Sequence, residues 1–193
     1  MNIRGADKLS AELHAKVVSL THGIKMIGLR FFNVYGRDLH GACTEDSDVV
    51  SSFVTRLMAG KAPTVFGDGE QVRDFVYIDD AVRFLLAAMD CELEGHKVFN
   101  VCSGEAVSVS QLARSIMSIL GCNIPIVYQP PRKGDIRGFA GDSTLASKLL
   151  GVSARYRIAD GLYQYIQCQR QFAGSIRGGL YSASDSSHAC FLR

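Results

Sequence analysis

Residues 24–32 form a nearly continuous apolar run that is interrupted only by Lys25 and Arg30. This composition is typical of a strand buried on both faces of a parallel sheet, whereas a half-exposed strand alternates apolar and polar residues. Residues 6–22, before the run, have apolar side chains at helical spacing, and Gly23 is a stop signal. A helix followed by a buried strand predicts an α/β protein with a parallel sheet.

The rest of the chain continues this alternation. The expected strands cover four short apolar segments: 64–66, 74–78, 98–102 and 125–128. The expected helices cover four longer segments: 48–58, 81–89, 109–120 and 143–150. Asp79 or Asp80 is the expected cap of the second of these helices, and a capping box from Ser108 to Gln111 opens the third. We predict one folded unit over residues 1–168 and a disordered, Gly- and Ser-rich tail over 169–193.

Composition excludes several classes of protein. The chain has 193 residues, 47% of them hydrophobic and 21% charged, with a formal net charge of +2. Its scattered basic residues predict neither a nucleic-acid nor a membrane partner, and no apolar run reaches the roughly 18–20 residues of a membrane span. The six cysteines form no C-x-x-C pair and the five histidines lack metal-ligand spacing, so we expect reduced thiols, no metal site and a cytoplasmic location.

Three polar features lie beside the predicted strands. Asn33 directly follows the run at 24–32, at the end of a parallel strand where ligands bind, although it could equally begin a turn. Arg73 follows a glycine turn and could pair with a phosphate, or it could be a solvated arginine. Residues 130–135, Pro-Pro-Arg-Lys-Gly-Asp, form a rigid basic loop that alone would be a surface turn. No Gly-x-Gly-x-x-Gly turn links a strand to a helix, so the dinucleotide fingerprint is absent from these residues.

Read in order, four segments make a stronger signal: 29–36, 66–80, 99–104 and 131–135. Over about residues 5–165 the chain resembles the NAD-dependent epimerase/dehydratase family of extended short-chain dehydrogenases, most closely the UDP-glucose 4-epimerase type. The resemblance implies the C-terminal strands of a Rossmann-like sheet plus a small nucleotide-sugar-binding subdomain. The family reaction is transient oxidation of the sugar at C4 by NAD, followed by return of the hydride.

The resemblance also implies roles for individual residues. Asn33 and Arg73 match residues that contact the diphosphate of a nucleotide sugar, here a UDP-sugar. Arg132 and Asp135 match the pair that holds the nucleotide, with the carboxylate accepting from ribose hydroxyls. Phe66 matches an aromatic platform near the uracil.

The catalytic motif of the family departs from this pattern. Lys8 matches the lysine of its Tyr-x-x-x-Lys motif, which serves both catalysis and NAD binding, but Arg4 occupies the tyrosine position. A phenol one turn before a lysine has a lowered pKa and can act as an acid and base, whereas arginine stays protonated. We therefore expect no turnover by this chain alone, which also lacks the family's glycine-rich NAD-binding turn.

Several alternatives remain open. The chain is either part of a UDP-sugar 4-epimerase or a non-catalytic remnant that binds a nucleotide sugar or a partner chain. A 4,6-dehydratase or a decarboxylase is an alternative within the family. Asp79 and Asp80 could be a catalytic carboxylate pair, but a helix start is the better interpretation. The helix at 6–22 matches a subunit-contact helix, so a homodimer is conceivable, and exposed strand edges predict a marginally stable or oligomeric chain.

Overall fold

The computed structural model describes residues 3–36, 48–138 and 140–177. Its helices are α1 (Ile3–His22), α2 (Val49–Met58), α3 (Ile78–Asp90), α4 (Val109–Leu120), α5 (Thr144–Leu150) and α6 (Ile158–Arg177). Its strands are β1 (Met26–Phe31), β2 (Asn33–Tyr35), β3 (Thr64–Phe66), β4 (Val72–Tyr77), β5 (His96–Val101), β6 (Ala106–Ser108) and β7 (Val127–Gln129).

The strands pair mostly in parallel, which confirms the predicted α/β class. β1 pairs with β5, with Met26 opposite His96 and Phe31 opposite Val101. β2 is parallel to β4, β4 is antiparallel to β6, and β3 is parallel to β7. Among the described residues, β1 has no strand on its other edge.

Strong local signals predicted their elements well. The capping box at the start of α4 is present in full, and Gly121 ends that helix in the left-handed conformation. Asp48 accepts from Val50 N–H and Ser51 N–H at the start of α2, as expected of a cap. The prediction for α3 was wrong at its start, because the N-cap is Tyr77, and Asp79 and Asp80 lie within the first turn.

The last helix, α6, was not among the predicted helices. It continues to Arg177, beyond Gln169, where the predicted tail begins; residues 178–193 of that tail lie outside the described residues. Gly161 lies inside this helix, and glycine is a poor helix former, so the sequence did not predict the helix. A side chain at Gly161 would lie 2.0 Å from the Tyr35 hydroxyl, so only glycine fits this contact. Burial raises the pKa of Tyr35, whose hydroxyl donates to the carbonyl of Ile158 at 3.4 Å.

Two hydrophobic clusters hold these elements together. The larger one joins α2, α4 and α6 to β2 and β4, with Phe53, Leu112 and Ile166 almost completely buried. The smaller one packs α3 and α5 against β1 and β5 around Phe84 and Phe99.

α1 packs on β1 and β5, and an ion pair is part of this contact. Arg30 donates to both carboxylate oxygens of Glu12, at 2.9 and 2.6 Å, and this fork lowers the pKa of Glu12. The apolar side chains of α1 point elsewhere: Leu13 and Val17 are exposed, and Leu20 is 75% exposed. None of the described helices is both long enough and apolar enough to cross a membrane.

Asp80 connects α3 to the segment before α6. Its side chain is 1% exposed, and it accepts from the backbone N–H groups of Arg155 and Tyr156 at 2.8 and 2.9 Å. Arg83 adds an ion pair at 2.7 Å. Because every one of these partners belongs to the fold itself, Asp80 is a structural carboxylate.

We expect Asp80→Ala to lower the free energy of unfolding by about 2–4 kcal/mol, because the Arg83 guanidinium and two backbone N–H groups lose their acceptor. Asp79→Ala is the matched control: this exposed neighbour accepts only a 3.3 Å bond from the Tyr156 hydroxyl, and should cost less than about 1 kcal/mol. Urea denaturation followed by circular dichroism measures both. Equal losses would contradict a structural role specific to Asp80.

Candidate nucleotide-binding site

An open pocket of about 370 Å³ lies between the turn after β3 and the loop after β7. Parallel pairing of β3 with β7 brings both loops to the same edge, and Gly67 N–H donates to the carbonyl of Gln129 at 2.9 Å. The turn requires glycine at Gly69, where φ is +77° and a side chain would lie 2.0 Å from the Ser110 hydroxyl. We call this site the arginine pocket, because Arg132 and Arg137 line it.

The guanidinium of Arg132 lies over the ring of Phe66 in the wall of the pocket. The guanidinium carbon of Arg132 lies 4.1 Å from the centroid of the Phe66 ring. This separation allows a cation–π contact, and both groups are flat surfaces on which an aromatic base can stack.

Arg73 and Asp135 form an ion pair at the pocket. Arg73 lies near the start of β4, and its Nη2 donates to Oδ1 of Asp135 at 2.5 Å, while its Nη1 donates to the carbonyl of Val72 at 2.8 Å. The two side chains are only 18% and 34% exposed. Asp135 N–H also donates to the carbonyl of Arg132 at 3.2 Å, which closes the turn of the basic loop.

A second ion pair, which sequence reasoning missed, joins the same two loops. Arg137 donates to Oδ2 of Asp68 at 2.7 Å. Glu70 N–H, which donates to Oδ1, and Arg137 together lower the pKa of Asp68. The backbone of Arg137 is fixed as well, because its carbonyl accepts from Val72 N–H at 2.9 Å. An Asp and an Arg 69 residues apart gave no sequence signal for this pair.

The remaining site predictions lie outside the arginine pocket. Asn33 begins β2, beside β4, and its amide donates to the carbonyl of Asp74 at 3.0 Å. Lys8 is an exposed residue of α1, which packs on β1 and β5 rather than on the strands of the pocket. The structure therefore brings together Phe66, Arg132, Asp135 and, through its ion pair, Arg73.

Asp74 is a buried carboxylate that the sequence did not single out. It is 0% exposed and accepts from Ser103 N–H and the Ser103 hydroxyl at 2.8 and 2.7 Å. Gly104 N–H and Gly141 N–H donate to its other oxygen at 2.9 and 3.3 Å. These four residues, which we call the Asp74 cluster, join β4 to the turn after β5 and to the segment before α5. The sequence signal available for this carboxylate was its position, directly after Arg73 and before the apolar residues 75–77.

The described residues do not include the glycine-rich turn that the resemblance connects to NAD pyrophosphate. None of their strands leads into a helix through a Gly-x-Gly-x-x-Gly turn, whose backbone N–H groups would hold the phosphates. Within α1, Arg4 precedes Lys8 by one turn, so the expected spacing of the catalytic motif is present without its phenol.

Parallel strands with a pocket beyond their carboxyl ends are typical of the α/β proteins that bind a ligand at that edge of the sheet. The model of the NAD dependent epimerase/dehydratase family matches residues 5–102, just over half of the chain. The chain belongs to this family.

Known proteins resemble this chain both in sequence and in fold. The chain is 30% identical to the UDP-glucose 4-epimerase of Mycolicibacterium smegmatis over 84% of its own length and 51% of the relative. The structure of UDP-glucose 4-epimerase from Thermotoga maritima with UDP-glucose matches with a TM-score of 0.81 and 35% identity, over 88% of this chain and 53% of that one. UDP-glucuronic acid 4-epimerase from Bacillus cereus, in complex with UDP-glucuronic acid and NAD, matches with a TM-score of 0.77 and 29% identity, over 87% and 52%. The strands are thus Rossmann-like, and the chain spans about half the length of these relatives.

Asp74→Asn should loosen the segments that meet at the Asp74 cluster. An amide NH₂ replaces one acceptor oxygen, so at least one buried donor loses its partner, at a cost of about 1–3 kcal/mol. Hydrogen exchange should show faster exchange at the amides of Ser103 and Gly104, whereas amides in the middle of α4 change little. Asp142→Asn is the control, since exposed Asp142 accepts from Thr144 N–H outside the cluster. Unchanged protection at Ser103 and Gly104 would contradict the assignment.

Proposed function

We propose that this chain supplies the nucleotide-sugar-binding part of a UDP-sugar 4-epimerase-type protein, with the ligand bound in the arginine pocket. The observation that carries the proposal is the convergence of Phe66, Arg132 and Asp135 on one pocket, with Arg73 paired to Asp135. These residues come from three segments of the chain, and together they have the chemistry that the base, the ribose and the diphosphate of a nucleotide sugar require.

Each portion of the ligand has a matching group. The flat faces of Phe66 and Arg132 suit a pyrimidine base. The Asp135 carboxylate can accept from the two ribose hydroxyls, and the Arg73 guanidinium can donate two parallel hydrogen bonds to a diphosphate. Asn33, on the strand beside Arg73, would add a donor if its amide left the carbonyl of Asp74. The relatives that act on or bind UDP-sugars support UDP as the nucleotide.

A role in binding without chemistry is the second candidate, and Arg4 favours it. The family's proton transfer needs a group that can lose and regain a proton near neutral pH, and a guanidinium cannot. NAD is the cofactor that the family resemblance implies, and when bound it supplies hydride transfer. Lys8 is the described residue that the resemblance connects to that cofactor. The exposed apolar stripe on α1 is consistent with the proposed homodimer. A 4,6-dehydratase or decarboxylase parent remains the alternative within the family.

Isothermal titration of the full chain with UDP tests the binding proposal. We expect binding by the unchanged chain, and a loss of about tenfold or more in Arg73→Ala and in Arg132→Ala, because each removes a charge-assisted contact. Arg114→Ala is the control, since Arg114 is exposed on α4 and outside the pocket. It should retain full affinity. No binding of UDP by the unchanged chain would refute the proposal.

The second candidate makes a separate prediction about turnover. Incubated with UDP-glucose and NAD, the chain should form no UDP-galactose, because position 4 offers no group for proton transfer. Chromatography of the nucleotide sugars measures this, with a complete 4-epimerase as positive control. Product formation by the purified chain would show that another residue supplies the proton.

A further inference from the structure

Asp135 contacts Arg73, which is the residue that the proposed function assigns to the diphosphate. In the structure the Asp135 carboxylate already accepts from Nη2 of Arg73 at 2.5 Å, and the Val72 carbonyl accepts from Nη1. A guanidinium has five N–H donors, so a phosphate that takes the Nη2 side of the Arg73 fork has to compete with this carboxylate. Because both side chains are largely shielded from water, this exchange is less screened than one at an open surface.

From this geometry we propose that Asp135 is a specificity-determining residue, which excludes free phosphates from Arg73 and admits nucleotides. The inference rests on the proposed nucleotide site and extends it. An inorganic diphosphate that binds Arg73 leaves the displaced carboxylate without a partner beside a second anion, which is repulsive. A nucleoside diphosphate brings ribose hydroxyls that donate to the same carboxylate, so the lost ion pair is replaced.

The loop that carries Asp135 is attached at both ends, so Asp135 stays close to Arg73 with or without a bound ligand. β7 pairs with β3 before the loop, and the Arg137 carbonyl accepts from Val72 N–H after it. Asp135 therefore lies between two fixed points, and one of them is the residue adjacent to Arg73. A rotation of the Asp135 side chain is enough to exchange the guanidinium for a ribose, without unfolding of the loop.

Asp68 and Arg137 provide an internal comparison. They form an ion pair of the same type at 2.7 Å, in the same pocket, but with side chains that are 51% and 75% exposed. If any negative charge near the pocket excluded phosphate, removing Asp68 or Asp135 would raise the affinity for phosphate equally. If direct contact with Arg73 is the cause, removing Asp135 has the larger effect.

Isothermal titration of the full chain with inorganic pyrophosphate and, separately, with UDP tests the inference. Asp135→Asn should bind pyrophosphate about fivefold more tightly than the unchanged chain, because an ion-pair competitor is removed. Its affinity for UDP should not rise, since the gain at Arg73 is offset at the ribose, where an NH₂ group replaces one of the two acceptor oxygens and the charge is removed. The preference for UDP over pyrophosphate therefore falls by about fivefold or more. Asp68→Asn should raise the affinity for pyrophosphate less than Asp135→Asn does, because Arg137 is the more exposed of the two arginines. Asp142→Asn is the neutral control, since exposed Asp142 lies outside the pocket, and it should change either affinity by less than about twofold.

The outcomes separate the inference from the proposed function. If the unchanged chain fails to bind UDP, the proposed function is wrong, whatever pyrophosphate does. If Asp135→Asn binds pyrophosphate no better than the unchanged chain, or does not bind it at all, the inference is overturned even when UDP binds. An equal gain in Asp68→Asn also overturns it. Asp135→Ser, with melting curves for all variants, repeats the test with a second uncharged side chain.

Discussion

The Asp74 carboxylate is the constraint on which the geometry of the site depends. A buried carboxylate is tolerated only when hydrogen bonds replace its hydration, and Asp74 obtains them from Ser103, Gly104 and Gly141. Three segments of the chain must therefore meet at one point of β4. Adjacent side chains of a strand point to opposite faces, so fixing Asp74 inward also fixes the direction in which Arg73 leaves the strand. The carbonyl of Asp74 also holds Asn33.

Acidic side chains have two distinct uses in this protein. Asp74 and Asp80 are buried and accept mainly from backbone N–H groups of other segments, so they fix loops in the fold. Asp68 and Asp135 lie at the arginine pocket and pair with arginine side chains. Side-chain ion pairs near water exchange partners at little cost, whereas a buried carboxylate that loses its donors is strongly destabilising. The carboxylates suited to exchange with a ligand are therefore those at the pocket.

Sequence reasoning succeeded where the determinant was local and failed where it was a distant contact. The capping box of α4 lies within four residues, and it predicted that helix with both its ends. The three-residue strands β2 and β6 exist because they pair with β4, and no local pattern marks them. Gly161 lies in a helix because of Tyr35, more than a hundred residues away. The resemblance supplied Arg132 and Asp135 as site residues, but it contained no information on the pairing of Asp135 with Arg73.

The arginine pocket and Lys8, the residue that the resemblance connects to catalysis, lie on different parts of this architecture. The arginine pocket is built on β3, β7 and the start of β4, whereas Lys8 belongs to α1, which the fork between Glu12 and Arg30 attaches to β1. The pocket is lined by residues of 66–71 and 129–137, none of which belongs to α1. The proposed binding role without turnover requires such a separation, because a substitution in α1 then leaves the lining of the pocket unchanged.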